Sequence, residues 1–214
     1  MFRVPCLLLF AGMAVFGQDP PDKRAYGVLP NYRTVEPGVR TEPLTSKQKF
    51  TIAAKDSFDY PIFFVSGVLS GISHLQNQNE SFGQGASGYA KRYVTGYADQ
   101  ALGNILVEGG LPTLLHQDPR YFRKGTGSWS SRTAYALSRV IVTRTDRGRA
   151  APNFSELFGN AAVAGIGNLY YTDSRTLGDN ASRAISFTAT DAIGNVLKEF
   201  WPDAKRRFGK KNKL

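Results

Sequence analysis

Apolar residues first gather in one short run near the start. Arg3 supplies a positive charge, and Val4 to Phe16 then runs uncharged to a small-residue exit at Gly17. A charged start, a brief apolar stretch and a small-residue end describe a secretory signal peptide over residues 1–17. The run is shorter than the roughly twenty residues a spanning helix needs. The next segment, 18–46, holds Pro20, Pro21, Pro30, Pro37 and Pro43 among many charges. It has little to bury and reads as an extended or disordered strap.

Helical spacing begins at Ser46 and defines a domain over 47–203. Candidate helices cover Ser46–Phe58, then the charge-free stretch from Tyr60 to the turn at Gln76, then about Ala86–Leu106. In the third, Tyr89, Tyr93 and Tyr97 recur every four residues and share one stripe. Leu111 to Gly127 reads as a loop. Arg132 to Thr145 fits either period, with Val140-Ile141-Val142-Thr143 suiting a strand, and the helical reading is taken. A further helix over Ser155–Tyr171 is apolar nearly all round, which requires burial in protein or lipid. The last, Ala181–Phe200, carries Ile185, Ala189, Ala192, Ile193, Val196 and Phe200 on an expected inner face. Thr188, Asp191, Asn195 and Lys198 form its expected outer face, and Pro202 is expected to stop it. A basic tail over 204–214 follows, with Lys205, Arg206 and Arg207.

Glycine and alanine recur inside these segments. Gly costs about 1 kcal/mol relative to Ala within a helix, so close helix contact is the expected compensation. Gly67, Gly71, Gly88, Gly96, Gly103, Ala161 and Gly165 are the expected contact points. The predicted fold class is therefore mainly α: a small-residue-rich helical bundle with an extended N-terminal segment and a basic C-terminal tail.

Composition narrows the chemistry. The only cysteine, Cys6, lies in the signal segment, so the remaining chain offers no thiolate nucleophile or thiolate metal site. The formal net charge is +10, which favours anionic partners. Between residues 120 and 149, Arg120, Arg123, Lys124, Arg132, Arg139, Arg144, Arg147 and Arg149 face a single acid, Asp146. Tyr121, Phe122, Trp129 and Tyr135 are interleaved. Arginine among aromatics suits anionic lipid headgroups or envelope polymers. With Lys205, Arg206 and Arg207, the residues Arg120, Arg123, Lys124, Arg132, Arg139 and Arg144 form the candidate anion-binding surface. Export argues against nucleic acid.

Catalytic signatures are weak. His116 and Asp118 are candidates for a base and its orienter. The preferred reading of the same stretch is a structural turn initiated by Asp118-Pro119. Zinc sites usually take three or four protein ligands, and the chain holds two histidines, so no metal and no cofactor are expected. Gly83-Gln84-Gly85-Ala86-Ser87-Gly88 matches Gly-x-Gly-x-x-Gly but follows no strand, and reads as a helix-entry loop.

The order His116-Gln-Asp-Pro-Arg-Tyr-Phe-Arg, Asn168-Leu-Tyr-Tyr171 and Glu199-Phe-Trp-Pro-Asp203 resembles an uncharacterised family of exported bacterial envelope proteins. The resemblance covers most of 80–203, implies a bacterial envelope location and carries no activity. The expectation is an exported, membrane-associated binding or structural protein. The alternatives are a soluble periplasmic enzyme using His116 and Asp118, or an outer-membrane β-barrel, for which ten-residue alternating segments are missing.

Overall fold

The computed structural model describes residues 24–25, 29–30 and 33–209, and the surroundings of side chains from 33 to 207. The signal segment, the start of the strap and residues 210–214 lie outside the described residues. The fold is mainly helical, as the periodicity predicts.

Side-chain caps set most helix starts. Thr45 and Gln48 make a reciprocal capping box ahead of α1 (Ser46–Phe58). Asp59 caps α2 (Tyr60–Leu75), with Pro61 in its first turn. Helix α3 (Gly85–Asn104) runs directly into a π-helical stretch, Ile105–Gly110, and on into α4 (Leu111–Leu114). Ser128 caps α5 (Trp129–Ser138), and Asn153 caps α6 (Phe154–Ile166). A reciprocal box between Thr176 and Asp179 opens α7 (Leu177–Gly209). Helix α2 lies along α3, α6 along α7, and α1 against α3 and the π-helical stretch.

Short strands tie these helices together. Strands β1 (Arg24–Ala25) and β2 (Leu29–Pro30) pair antiparallel. β3 (Thr34–Val35) runs parallel to β5 (Tyr121–Phe122). Thus part of the proline-rich strap is a bound strand, not free chain. β4 (Gln117–Asp118), β6 (Val142–Thr145) and β7 (Ala150–Pro152) form a three-stranded antiparallel sheet. The expected loop at 111–127 therefore contains α4, β4 and β5. The expected helix at 132–145 ends at Ser138 and becomes strand β6, in keeping with its Val-Ile-Val-Thr run.

Two further expectations change. Helix α7 continues through Pro202, so residues 204–209 are helical and not a free tail. A proline inside a helix removes one ladder bond. Around that break the Glu199 carbonyl accepts from Arg123 and Arg132, at 2.9 and 2.8 Å. Arg132 also lies 2.5 Å from Asp203, which holds the turns beyond Pro202.

The larger change concerns which faces meet the interior. Among the described residues, the buried apolar ones are few and mostly small: Ala53, Ala136, Val140, Val163 and Ala164, with Tyr121 and Tyr171. The buried polar set is longer. It includes Lys49, Asp56, Arg92, Asp99, Glu108, Gln117, Arg132, Glu156, Asn160, Lys198 and Glu199. On α7, Ile185 and Ile193 are 69% and 61% exposed, while Lys198 and Glu199 are buried. The expected inner and outer faces of that helix are inverted at these positions. Helix α2 behaves alike: Ser66 and Ser70 face in, whereas Phe63, Phe64, Val68, Leu69 and Ile72 face out. Helix α6 buries Ser155, Glu156 and Asn160 and exposes Phe154, Leu157 and Phe158. This molecule wraps a charged interior in an apolar surface.

The small residues divide. A Cβ on Gly88 would stand 2.2 Å from the Gly83 carbonyl oxygen, so the backbones touch there. Gly67 lies against Tyr89 and Tyr93, and Gly96 against Ser70. Gly71, Gly103 and Gly165 face open space, and Ala161 is exposed, so these four do not mark helix contacts. Close approach occurs instead at Gly109 against Phe50 and at Gly159 against Val107.

Candidate functional site

The polar interior surrounds a cavity of about 80 Å3. Its wall draws on β3's approach, the π-helical stretch, β4, β5, β6, α6 and α7. Arg33 enters from the strap and contacts both Asp56 on α1, at 3.2 Å, and Glu108 in the π-helical stretch. The wide turn of a π-helix, a form frequent at functional sites, carries Glu108 inward. Glu108 is 3% exposed, and its Oε2 has no hydrogen-bond partner among the described residues. Burial pushes its carboxyl well above the usual range. Arg33 counters that, and the Asp56 carboxyl beside it adds to it.

A second carboxyl pair lines the same cavity. Asn160 Nδ2 donates to Glu156 Oε1 at 3.1 Å and approaches Asp191 Oδ2 at 3.5 Å. The Thr188 hydroxyl lies 3.1 Å from the same amide nitrogen. Burial pushes Glu156 well up, and the charge of Asp191 reinforces it. Lys198 lies within the field of Arg33, Asp56, Glu108 and Asp191, and burial pulls its ammonium down to about 8. Thus Arg33, Asp56, Glu108, Glu156, Asp191 and Lys198 form one interacting cluster. Sequence spacing missed it. Lys198 and Asp191 stand on what periodicity assigns to solvent, and Glu108 reads as a helix end.

Two of the three motifs behind the family resemblance meet in the polar interior, through Tyr121 and Glu199, while the third binds Asp99. Tyr171 donates to Asp99 at 2.7 Å, and Tyr170 donates to its other oxygen. Burial raises the Asp99 carboxyl despite these donors and the nearby Arg183. Glu199, fully buried, accepts from the Tyr121 hydroxyl, the Lys124 and Gly125 amides and Arg132 Nε, all within 2.9 Å. Burial opposes its ionisation, yet Arg132 and the two amides prevail and hold its pKa below the usual value.

His116 and Asp118 are not brought together as a catalytic pair. His116 adopts a left-handed backbone, φ +53°, at the corner entering β4, with its ring 85% exposed. Asp118 is buried and bound by Arg120 at 2.6 Å. Asp118 lines the cavity and His116 does not. Among the described residues no group of three or more His, Cys, Asp or Glu is placed to hold a metal ion.

The expected anion-binding arginines are mostly committed within the molecule. Arg120 holds Asp118; Arg123 reaches Glu36 and the Glu199 carbonyl; Arg132 is buried on Glu199. Arg139 lies over the Tyr135 ring and Arg144 over Phe122, at 4.4 and 4.2 Å. Lys124 contacts Ser131, and Arg206 pairs with Asp203. Lys205, Arg206 and Arg207 are exposed on the last turns of α7.

No protein family, no curated protein and no solved structure matches this chain.

Proposed function

We propose that this chain is an exported, membrane-associated envelope protein with a binding or structural role. The observation that carries the reading is the inverted distribution of polarity. Contiguous exposed apolar surface marks an interaction site. Here Tyr60, Phe63, Phe64, Val65, Val68, Leu69, Ile72 and Leu75 form such a surface on one uncharged helix. Left in water it is unfavourable by about 25 cal/mol per Å2. Acyl chains or a headgroup boundary remove that penalty.

Charge supports the same partner. Among the residues whose burial is described, exposed bases include Arg40, Lys47, Lys55, Lys91, Arg147 and Arg149, whereas the exposed acids are Glu36, Glu42, Glu80 and Asp173. Such a surface favours anionic headgroups, at about 1 kcal/mol per base near the membrane. No helix among the described residues is long and apolar enough to cross a membrane. Helix α2, the uncharged one, has 16 residues that rise about 24 Å against a hydrocarbon core of about 30 Å. The apolar faces of α2, α6 and α7 are therefore assigned to contact with lipid without a single-helix crossing.

Flotation tests this. The full chain is mixed with vesicles of phosphatidylethanolamine and phosphatidylglycerol and spun through a density gradient. The reading requires co-flotation that survives 0.5 M salt and weakens in F64K/L69K. A chain that stays with the soluble fraction without salt overturns it.

A further inference from the structure

We propose that residues 33–42 form a detachable strap governed by protons: docked, it closes one side of the interior cavity, and in acid it lifts away. The strap is held along β5 and the loop that follows. The Tyr121 and Arg123 amides donate to the Arg33 and Val35 carbonyls at 3.1 and 3.0 Å. Glu36 pairs with Arg123, Arg120 Nη2 donates to the Glu42 carbonyl at 2.9 Å, and Pro37 packs on Gly125. Arg33 carries the strap into the cavity wall.

Little resists separation. Each of residues 33–42 is half-buried or exposed, and segments with few buried apolar contacts open at low free energy. Docking also leaves the Thr34 hydroxyl buried with no hydrogen-bond partner among the described residues. Lifting the strap into water removes that cost. The capping box of α1 lies beyond the strap, at Thr45 and Gln48, so the helix start survives release.

The anchor is Arg33. Its guanidinium reaches Asp56 on α1 at 3.2 Å and Glu108 in the π-helical stretch. Glu156 on α6, with Asp191 and Lys198 on α7, completes the charged surroundings. Burial sets the direction of the shifts at Glu108, Glu156 and Lys198, and the Arg33 charge acts on all three: it favours the ionised carboxylates and disfavours the ammonium. The burial comes from helices that stay in place, α1, α3 and α6 around the π-helical stretch and α7 against α6. All three groups therefore bind protons more tightly once the strap leaves. By linkage, protons and the docked strap oppose each other, so acid favours release. Global unfolding has the opposite sign for the two glutamates, because it also ends their burial. This inference is independent of the membrane assignment.

Amide hydrogen exchange of the full chain in non-ionic detergent tests it, read at the Tyr121 and Arg123 amides and corrected for the intrinsic pH dependence of exchange. Amides inside α6 report global opening. Protection at Tyr121 and Arg123 should fall at least tenfold from pH 8 to pH 5, while α6 keeps its protection. In R33Q, with circular dichroism unchanged, both amides should be poorly protected at every pH and the slope should vanish. If R33Q does not fold, the profile of the parent chain decides alone. Protection that stays constant or rises toward pH 5, a parallel fall in α6, or a parent-like slope in R33Q overturns the proposal.

Discussion

Lys49 and Asp146 stand 97 residues apart in sequence, yet Lys49 Nζ lies 2.7 Å from Asp146 Oδ1. Lys49 is 2% exposed and also donates to the Pro112 carbonyl at 3.0 Å. The pair fastens α1 to the end of β6 and typifies one way the fold is held: through buried charge pairs that join distant elements. Removing one partner of a buried pair costs about 3–5 kcal/mol, whereas replacing both by apolar groups is often neutral. Asp146 keeps some exposure, so D146A should cost about 3 kcal/mol by denaturant unfolding. K49M/D146L should recover most of it.

Glu199 should be the most sensitive single position. Its four donors lose their acceptor together in E199A, and Arg132 becomes a buried charge with one carboxylate fewer. A loss of about 3–5 kcal/mol is expected, or failure to fold. R132M/E199L should be less damaged than E199A, as judged by urea unfolding.

Stability should vary with pH in two opposite directions. Glu108 and Glu156 have folded pKa values raised above those of the unfolded chain. The unfolded state then releases their protons first, so stability falls as pH rises above about 4.3, the unfolded glutamate value. Glu199 and Asp203 are held below their ordinary values. Their contribution is present above the unfolded pKa and is lost as pH falls through the folded one. Urea midpoints should therefore peak at mildly acidic pH. E156Q should be more stable than the parent chain at pH 8, with the difference closing toward pH 4.

Glycine substitutions separate contacts from open positions. G71A and G103A meet nothing within 4 Å and should stabilise their helices by up to about 1 kcal/mol. G88A and G159A force a methyl group into the Gly83 carbonyl and Val107 respectively. Each should cost about 1–3 kcal/mol. Thermal unfolding of the four variants checks both halves of this prediction.

Helix positions were largely legible because they depend on local chemistry. Thr45, Asp59, Asn153 and the breaks around Gly83 punctuate the chain at the observed boundaries. The Tyr89, Tyr93 and Tyr97 stripe packs as one face: Tyr89 on the Gly67 carbonyl, Tyr97 on the Ser57 carbonyl and the Phe63 ring. Strands two residues long leave no alternation to detect, so β3, β4 and β5 were invisible. Periodicity resolves a helix into two faces but does not say which one meets protein. Assigning the apolar face of α7 inward presumes a surrounding of water, and that presumption hid Asp191 and Lys198. Helix α6 gave a hint, since its sequence is apolar nearly all round and so requires protein or lipid outside it, but spacing did not show that its few polar residues, Ser155, Glu156 and Asn160, face in. Arg33 joined the cluster through strap pairing that no local signal encodes.

The central claim is that apolar helix faces lie outside and charges inside. Cys6 is the only native cysteine, so after its replacement by serine, single cysteines can be placed at Phe64, Leu157, Ile193, Ser66 and Asn160. Each is spin-labelled in vesicles and its collisions with oxygen and with a water-soluble nickel chelate are compared. Labels at 64, 157 and 193 should collide readily with oxygen and poorly with nickel, while 66 and 160 meet neither. Strong nickel collisions at 64, 157 and 193 would contradict the account.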